Sequence, residues 1–132
     1  MTEHTLLFRQ INPSYVRRNP LENTIEVRLE AFMPRINTNQ SNISVDDGDR
    51  ISAETAWGDF VKKPYCKSMG VLGVSVLECK NLQLSPRDAP TKGHETHVEI
   101  YFPSEKKDEW KIFAAGLRDL AVRHDWFFGP LE

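Results

Sequence analysis

Two stretches of the chain alternate with a period of two. In Thr24–Phe32 the residues Ile25, Val27, Leu29 and Ala31 face one way and Glu26, Arg28 and Glu30 the other. In Thr96–Phe102 the residues Val98, Ile100 and Phe102 oppose His97, Glu99 and Tyr101. Such alternation predicts strands with one wet face. Thr5–Arg9 (TLLFR) and Gly70–Ser75 (GVLGVS) are short apolar runs. The first predicts a buried strand. The second predicts the central strand of a sheet, its glycines marking close approach of another element.

Helical periodicity occurs twice. Ala53, Ala56, Trp57, Phe60 and Val61 share a face behind Ser52, a good N-cap, and Pro64 stops the helix near Lys63. Trp110, Phe113, Ala114, Leu117, Leu120 and Ala121 form the most regular stripe, which predicts a long helix from about Glu105 to Arg123 capped by Ser104. Between the two, Ser75-Val76-Leu77-Glu78 matches a capping box and predicts a short helix to about Leu82.

The remaining segments read as connections. Arg17–Pro20 is a basic turn, and Leu84–Gly93, with two prolines and a glycine, is a surface loop. Asn37–Asn42 is an amide-rich loop. Ile43–Val45 is a minimal strand that Asp47-Gly48 could turn back onto Arg50-Ile51. Trp126–Phe128 is a final strand or an apolar tail folded onto the core. The expected architecture is a single α+β domain over residues 1–132. It has one mixed, mainly antiparallel sheet, with two main helices and one short helix packed on it, the main pair on one face.

Composition narrows the function classes only a little. Hydrophobic residues make up 39% and charged residues 27% of the 132, ordinary for a globular chain. Seventeen Lys and Arg against 19 Asp and Glu give a net charge of −2. Nucleic-acid binding driven by counterion release is therefore not expected. The N-terminal arginines Arg9, Arg17, Arg18, Arg28 and Arg35 are nearly balanced by acids. No apolar run is long enough for a membrane span, and the first residues lack a signal-peptide pattern. The expectation is a cytoplasmic protein with Cys66 and Cys79 as free thiols.

Candidate chemistry is sparse. His94-Glu95-Thr96-His97 is not a metal-protease motif, and Asp46-Asp47-Gly48-Asp49 lacks the ligand spacing of a calcium loop. No metal and no cofactor is expected. Arg9, Ser44 and Glu99 on successive strands follow the order of one branch of the ADP-ribosyltransferases, with His97 where an acid or amide would stand. In that reading arginine holds a phosphate and glutamate a ribose hydroxyl. It predicts that Arg9, Ser44, His97 and Glu99 surround one cleft.

The segments LFRQINPSYV, EAFMP, ISVDDGDRISAETAW, GVLGVSVLEC and HVEI resemble a family of small bacterial proteins without an assigned function. Ser44–Trp57 is the most specific part. The resemblance implies a bacterial or phage-borne cytosolic origin and no reaction. The amide-rich Asn37–Asn42 loop departs from it.

The leading expectation is a protein-binding module, such as an antitoxin, an immunity protein or an accessory subunit, with a protein partner. Its binding residues would be Tyr15, Phe32, Asn39, Asp46 and Asp47, around the 32–50 loop. The alternative is a minimal ADP-ribosyltransferase-like or other small-ligand-binding enzyme domain built on Arg9, Ser44, His97 and Glu99.

Overall fold

The computed structural model describes residues 1–35 and 39–131, so part of the Asn37–Asn42 loop lies outside the described residues. Its strands are β1 (Leu6–Gln10), β2 (Val16–Asn19), β3 (Thr24–Val27), β4 (Asn42–Asp47), β5 (Val71–Ser75), β6 (Ser85–Asp88) and β7 (His97–Tyr101). Its helices are α1 (Ala53–Val61), α2 (Val76–Asn81) and α3 (Trp110–His124). Five strands form a sheet in the order β5-β1-β4-β7-β6, and β2 and β3 form a separate hairpin. The pairings are antiparallel. The class is α+β, as the patterns predict.

Strand alternation gives the sheet two different faces. Leu7, Leu72, Val74, Ile43, Val45, Val98 and Ile100 are buried on one face, in a single core with Trp110, Ala114, Leu117 and Ala121 of α3. On the other face Phe8 and Val71 pack with Ala53 and Trp57 of α1 and with Phe128. The two main helices therefore lie on opposite faces, not on one. Only part of the second face is covered: α1 touches β1 and β5. The β4–β7 half of that face is left to polar side chains.

Gly70–Ser75 holds the edge strand β5, not the centre. Its outer side is covered by the C-terminal segment: Val71 N–H donates to Phe128 O at 2.8 Å and Phe127 N–H to Val71 O at 2.9 Å. A covered edge is as apolar as a central strand, which explains the misreading. The glycine expectation holds here, because a Cβ at Gly73 would lie 3.1 Å from the Phe127 ring.

The centre is β4, which pairs with both β1 and β7. It does not turn back onto Arg50-Ile51. Gly48 N–H instead donates to Leu6 O at 2.7 Å, and the chain enters α1 with the Ser52 side chain accepting from Thr55 N–H.

Other segments shift in type. Arg17-Arg18 is in β2, and Leu29–Phe32 is a 3₁₀ turn rather than the end of β3. Leu84–Gly93 contains β6, where Pro86 is tolerated because β6 is an edge. Ser104 makes no capping bond; a 3₁₀ turn over Ser104–Glu109 precedes α3. The capping box at Ser75 and Glu78 forms as its sequence predicts.

Candidate functional site

The candidate site begins where β1 and β4 part. Their ladder contains only Leu7↔Asp47 and Phe8↔Asp46. Beyond it the Arg9 side chain takes the place of a ladder. Its Nε–H donates to Ala31 O in the 3₁₀ turn at 2.8 Å, and one terminal nitrogen donates to Ser44 O in β4 at 2.8 Å. A planar guanidinium can bridge two carbonyls in this way because its donors diverge from a rigid fork. Burial pushes the Arg9 guanidinium down to about 10. The nearby Tyr15 acts against this, and Arg35 adds to it. Arg9 therefore stays a cation at neutral pH.

Over this split lies a cavity of about 440 Å³. Phe8, Gln10, Ser44, Asp46 and His97 project into it from the incompletely covered sheet face. Phe60 of α1 and the following Lys63 and Lys67 form one wall; Tyr15, Met33, Pro34 and Arg35 form another. The volume lies within the range of small-molecule sites.

The charge of the lining is uneven. Among the described residues Arg9, Arg35, Lys63 and Lys67 face it against a single carboxylate, that of Asp46. That carboxylate is already engaged: Asp46 Oδ1 accepts from His94 Nε2 at 2.6 Å and from the Thr96 hydroxyl at 2.9 Å. His97 Nδ1–H donates to Ala89 O at 2.9 Å, and the His94 and His97 rings lie 4.9 Å apart. Gln10 adds an anomaly. Both amide atoms are buried, and neither has a hydrogen-bond partner among the described residues. An orphaned buried amide costs a few kcal/mol and calls for an explanation.

Arg9, Ser44 and His97 thus border one cavity. Glu99 does not. It is the cross-strand neighbour of Ser44, but its Oε2 accepts from the Tyr101 hydroxyl at 3.2 Å, which raises the Tyr101 pKa. The Arg87 guanidinium stacks 4.4 Å over the Tyr101 ring. Tyr15 borders the cavity, and Asn39 is exposed. Phe32 is 1% exposed in the main core, so its ring is closed to a ligand. Asp47 is buried, and its Oδ1 accepts from Asp49 N–H at 2.9 Å.

Sequence reading missed Gln10, Lys63 and Lys67. The lysines come from a stretch that resembles a plain connector, although Lys62, Lys63 and Lys67 around Pro64 form a visible basic cluster. Among the described residues no group of three or more His, Cys, Asp or Glu could hold a metal ion. Among them, too, no helix is long and apolar enough to cross a membrane. No family model, no curated protein and no solved structure matches the chain.

Proposed function

We propose that this chain is a small-ligand-binding domain whose cavity takes a phosphorylated, nucleotide-sized molecule. The observation that carries this reading is the charge reversal. Four basic side chains, Arg9 among them as the bridge between two carbonyls, and one carboxylate line a cavity among the described residues, in a chain whose net charge is −2. Such local focusing selects anions. Tyr15 offers a ring face, and Asn42 supplies an amide that can read polar edges. The strict ADP-ribosyltransferase arrangement has less support, since Arg9 is committed to two carbonyls and Glu99, on the same sheet face, is engaged by the Tyr101 hydroxyl outside the cavity lining.

The test is thermal unfolding with adenosine, AMP, ADP and pyrophosphate. A phosphate ligand at about 100 times its Kd stabilises by about 2.7 kcal/mol, whereas adenosine leaves the midpoint unchanged. Lys63 and Lys67 are exposed. K63E/K67E therefore leaves the unliganded midpoint in place and abolishes the shift. If no phosphate compound shifts the midpoint, the reading fails.

The protein-binding reading uses the same surface, because Met33, Pro34, Gln40 and Asn42 of the 32–50 segment line the cavity. Its partner would present acidic side chains there, and phosphate would compete with it.

A further inference from the structure

Two imidazoles and a carboxylate meet at one side of this cavity, and their hydrogen bonds fix which nitrogens are left to react. Asp46 can only accept, so His94 Nε2 carries the hydrogen of the 2.6 Å bond and Nδ1 is the nitrogen that exchanges a proton. The Ala89 carbonyl likewise holds the hydrogen on His97 Nδ1 and leaves Nε2 to exchange. Neither remaining nitrogen has a hydrogen-bond partner among the described residues. Both rings border the cavity, with centroids 4.9 Å apart, and Lys63 and Lys67 line the same cavity from one wall and Arg35 from another.

We infer that His94 and His97 are an acid–base pair that cleaves a short ribonucleotide phosphodiester by internal transfer to its own 2′-hydroxyl. This inference rests on the phosphate-binding reading. In the step, the 2′-oxygen bonds to phosphorus as the bond from phosphorus to the 5′-oxygen breaks. The hydroxyl proton passes to His97 Nε2. The leaving oxygen takes a proton from His94 Nδ1, and Asp46 balances the charge of that imidazolium. The products are a 2′,3′-cyclic phosphate and an alcohol, with no co-reactant. Lys63 and Lys67 hold the non-bridging oxygens, where charge concentrates in the transition state. A paired general base and general acid are what this transfer requires. The modest cavity and the net charge of −2 restrict the substrate to a short strand rather than a duplex. Asp46 is a positioning residue, since it acts through His94.

The experiment incubates the full chain with uridylyl-3′,5′-adenosine and, in parallel, with its 2′-deoxy form. Products are followed by phosphorus NMR, and binding of the uncleavable deoxy form is followed by calorimetry. The expected result is a cyclic phosphate from the ribo form only. His94→Gln and His97→Gln each lower kcat by about 10²–10⁴-fold while still binding the deoxy form. Asp46→Asn lowers kcat with KM unchanged. Where glutamine prevents folding, asparagine replaces it. Binding of the deoxy form without cleavage of the ribo form overturns this inference alone. Equal rates in wild type and both histidine variants also overturn it, by assigning the activity to a contaminant. Failure of every phosphate compound to bind overturns the phosphate-binding reading as well.

Discussion

Replacing Arg9 separates its structural role from a ligand-binding one. Arg9→Met removes both donors from Ala31 O and Ser44 O while keeping much of the side-chain volume. The two carbonyls are not equally protected. Ala31 is 1% exposed, so its orphaned acceptor costs about 1–2 kcal/mol. Ser44 is an exposed residue, and water can replace the lost donor for about 0.5 kcal/mol. Against this, methionine avoids the desolvation that lowers the Arg9 pKa. The two losses sum to about 2 kcal/mol and the avoided desolvation offsets part of them, so the expected net loss is about 1 kcal/mol for Arg9→Met and about 0.5 kcal/mol for Arg9→Lys, whose ammonium can reach one carbonyl but not bridge both. The assay is equilibrium urea unfolding. With a slope of about 1–3 kcal/mol per molar, the methionine variant should unfold about 0.3–1 M earlier and the lysine variant between it and wild type. A methionine variant as stable as wild type, or more stable than the lysine variant, would refute the bridging argument. Desolvation would then outweigh the two hydrogen bonds.

Three further outcomes are expected. Gly48→Ala places a Cβ 2.6 Å from Leu6 O and 3.1 Å from the Phe8 ring; denaturant titration should show a loss of about 1–3 kcal/mol. The Glu78 carboxyl is held below its usual range: burial raises it, but the Ser75 backbone N–H, His124 and the Ser75 hydroxyl together outweigh that. A depressed acid stabilises the fold above its unfolded pKa, and that contribution is lost as pH falls through the folded value. Thermal midpoints of wild type and Glu78→Gln should therefore differ at pH 6 and converge toward pH 3. The Cys79 thiol is buried and is pushed up to about 12 by desolvation and by Glu78, whereas Cys66 is half-buried. Ellman's reagent should titrate one thiol in the native protein and two in guanidinium, and rapid release of both without denaturant would contradict this placement.

Much of the fold was legible because its elements carry local signals. The alternation around Val98 and Ile100, the stripe from Trp110 to Ala121 and the Ser75–Glu78 box report geometry that residues a few positions apart can establish alone. Strand order was not legible, because it depends on partners far along the chain. Val71 looks central only because Phe127 and Phe128, more than fifty residues later, close its edge. Pro86 disguised β6 for a related reason: proline argues against a strand only where both edges must be paired. At the site, Arg9, Ser44 and Glu99 could be nominated from their order on strands, with His97 beside them; Arg9, Ser44 and His97 line the cavity and Glu99 does not. The lysines stand as a basic cluster in the sequence, but their place at the cavity was not legible, since they reach it only because α1 ends beside it. The orphaned Gln10 amide has no signature in the sequence at all.

The closure of β5 by Phe127 and Phe128 also bears on how the protein is made. A ribosome releases β5 long before it releases the residues that seal it. During synthesis the Val71 edge stands open, with its backbone groups unpaired and apolar side chains on both faces, until the last turn of α3 and the segment beyond it emerge. The other margin of the sheet needs no such wait, because Pro86 lies within β6 itself. Vulnerability to association with another nascent chain is therefore confined to one margin and to one interval of translation. It ends when Phe127 and Phe128 fold back onto Val71.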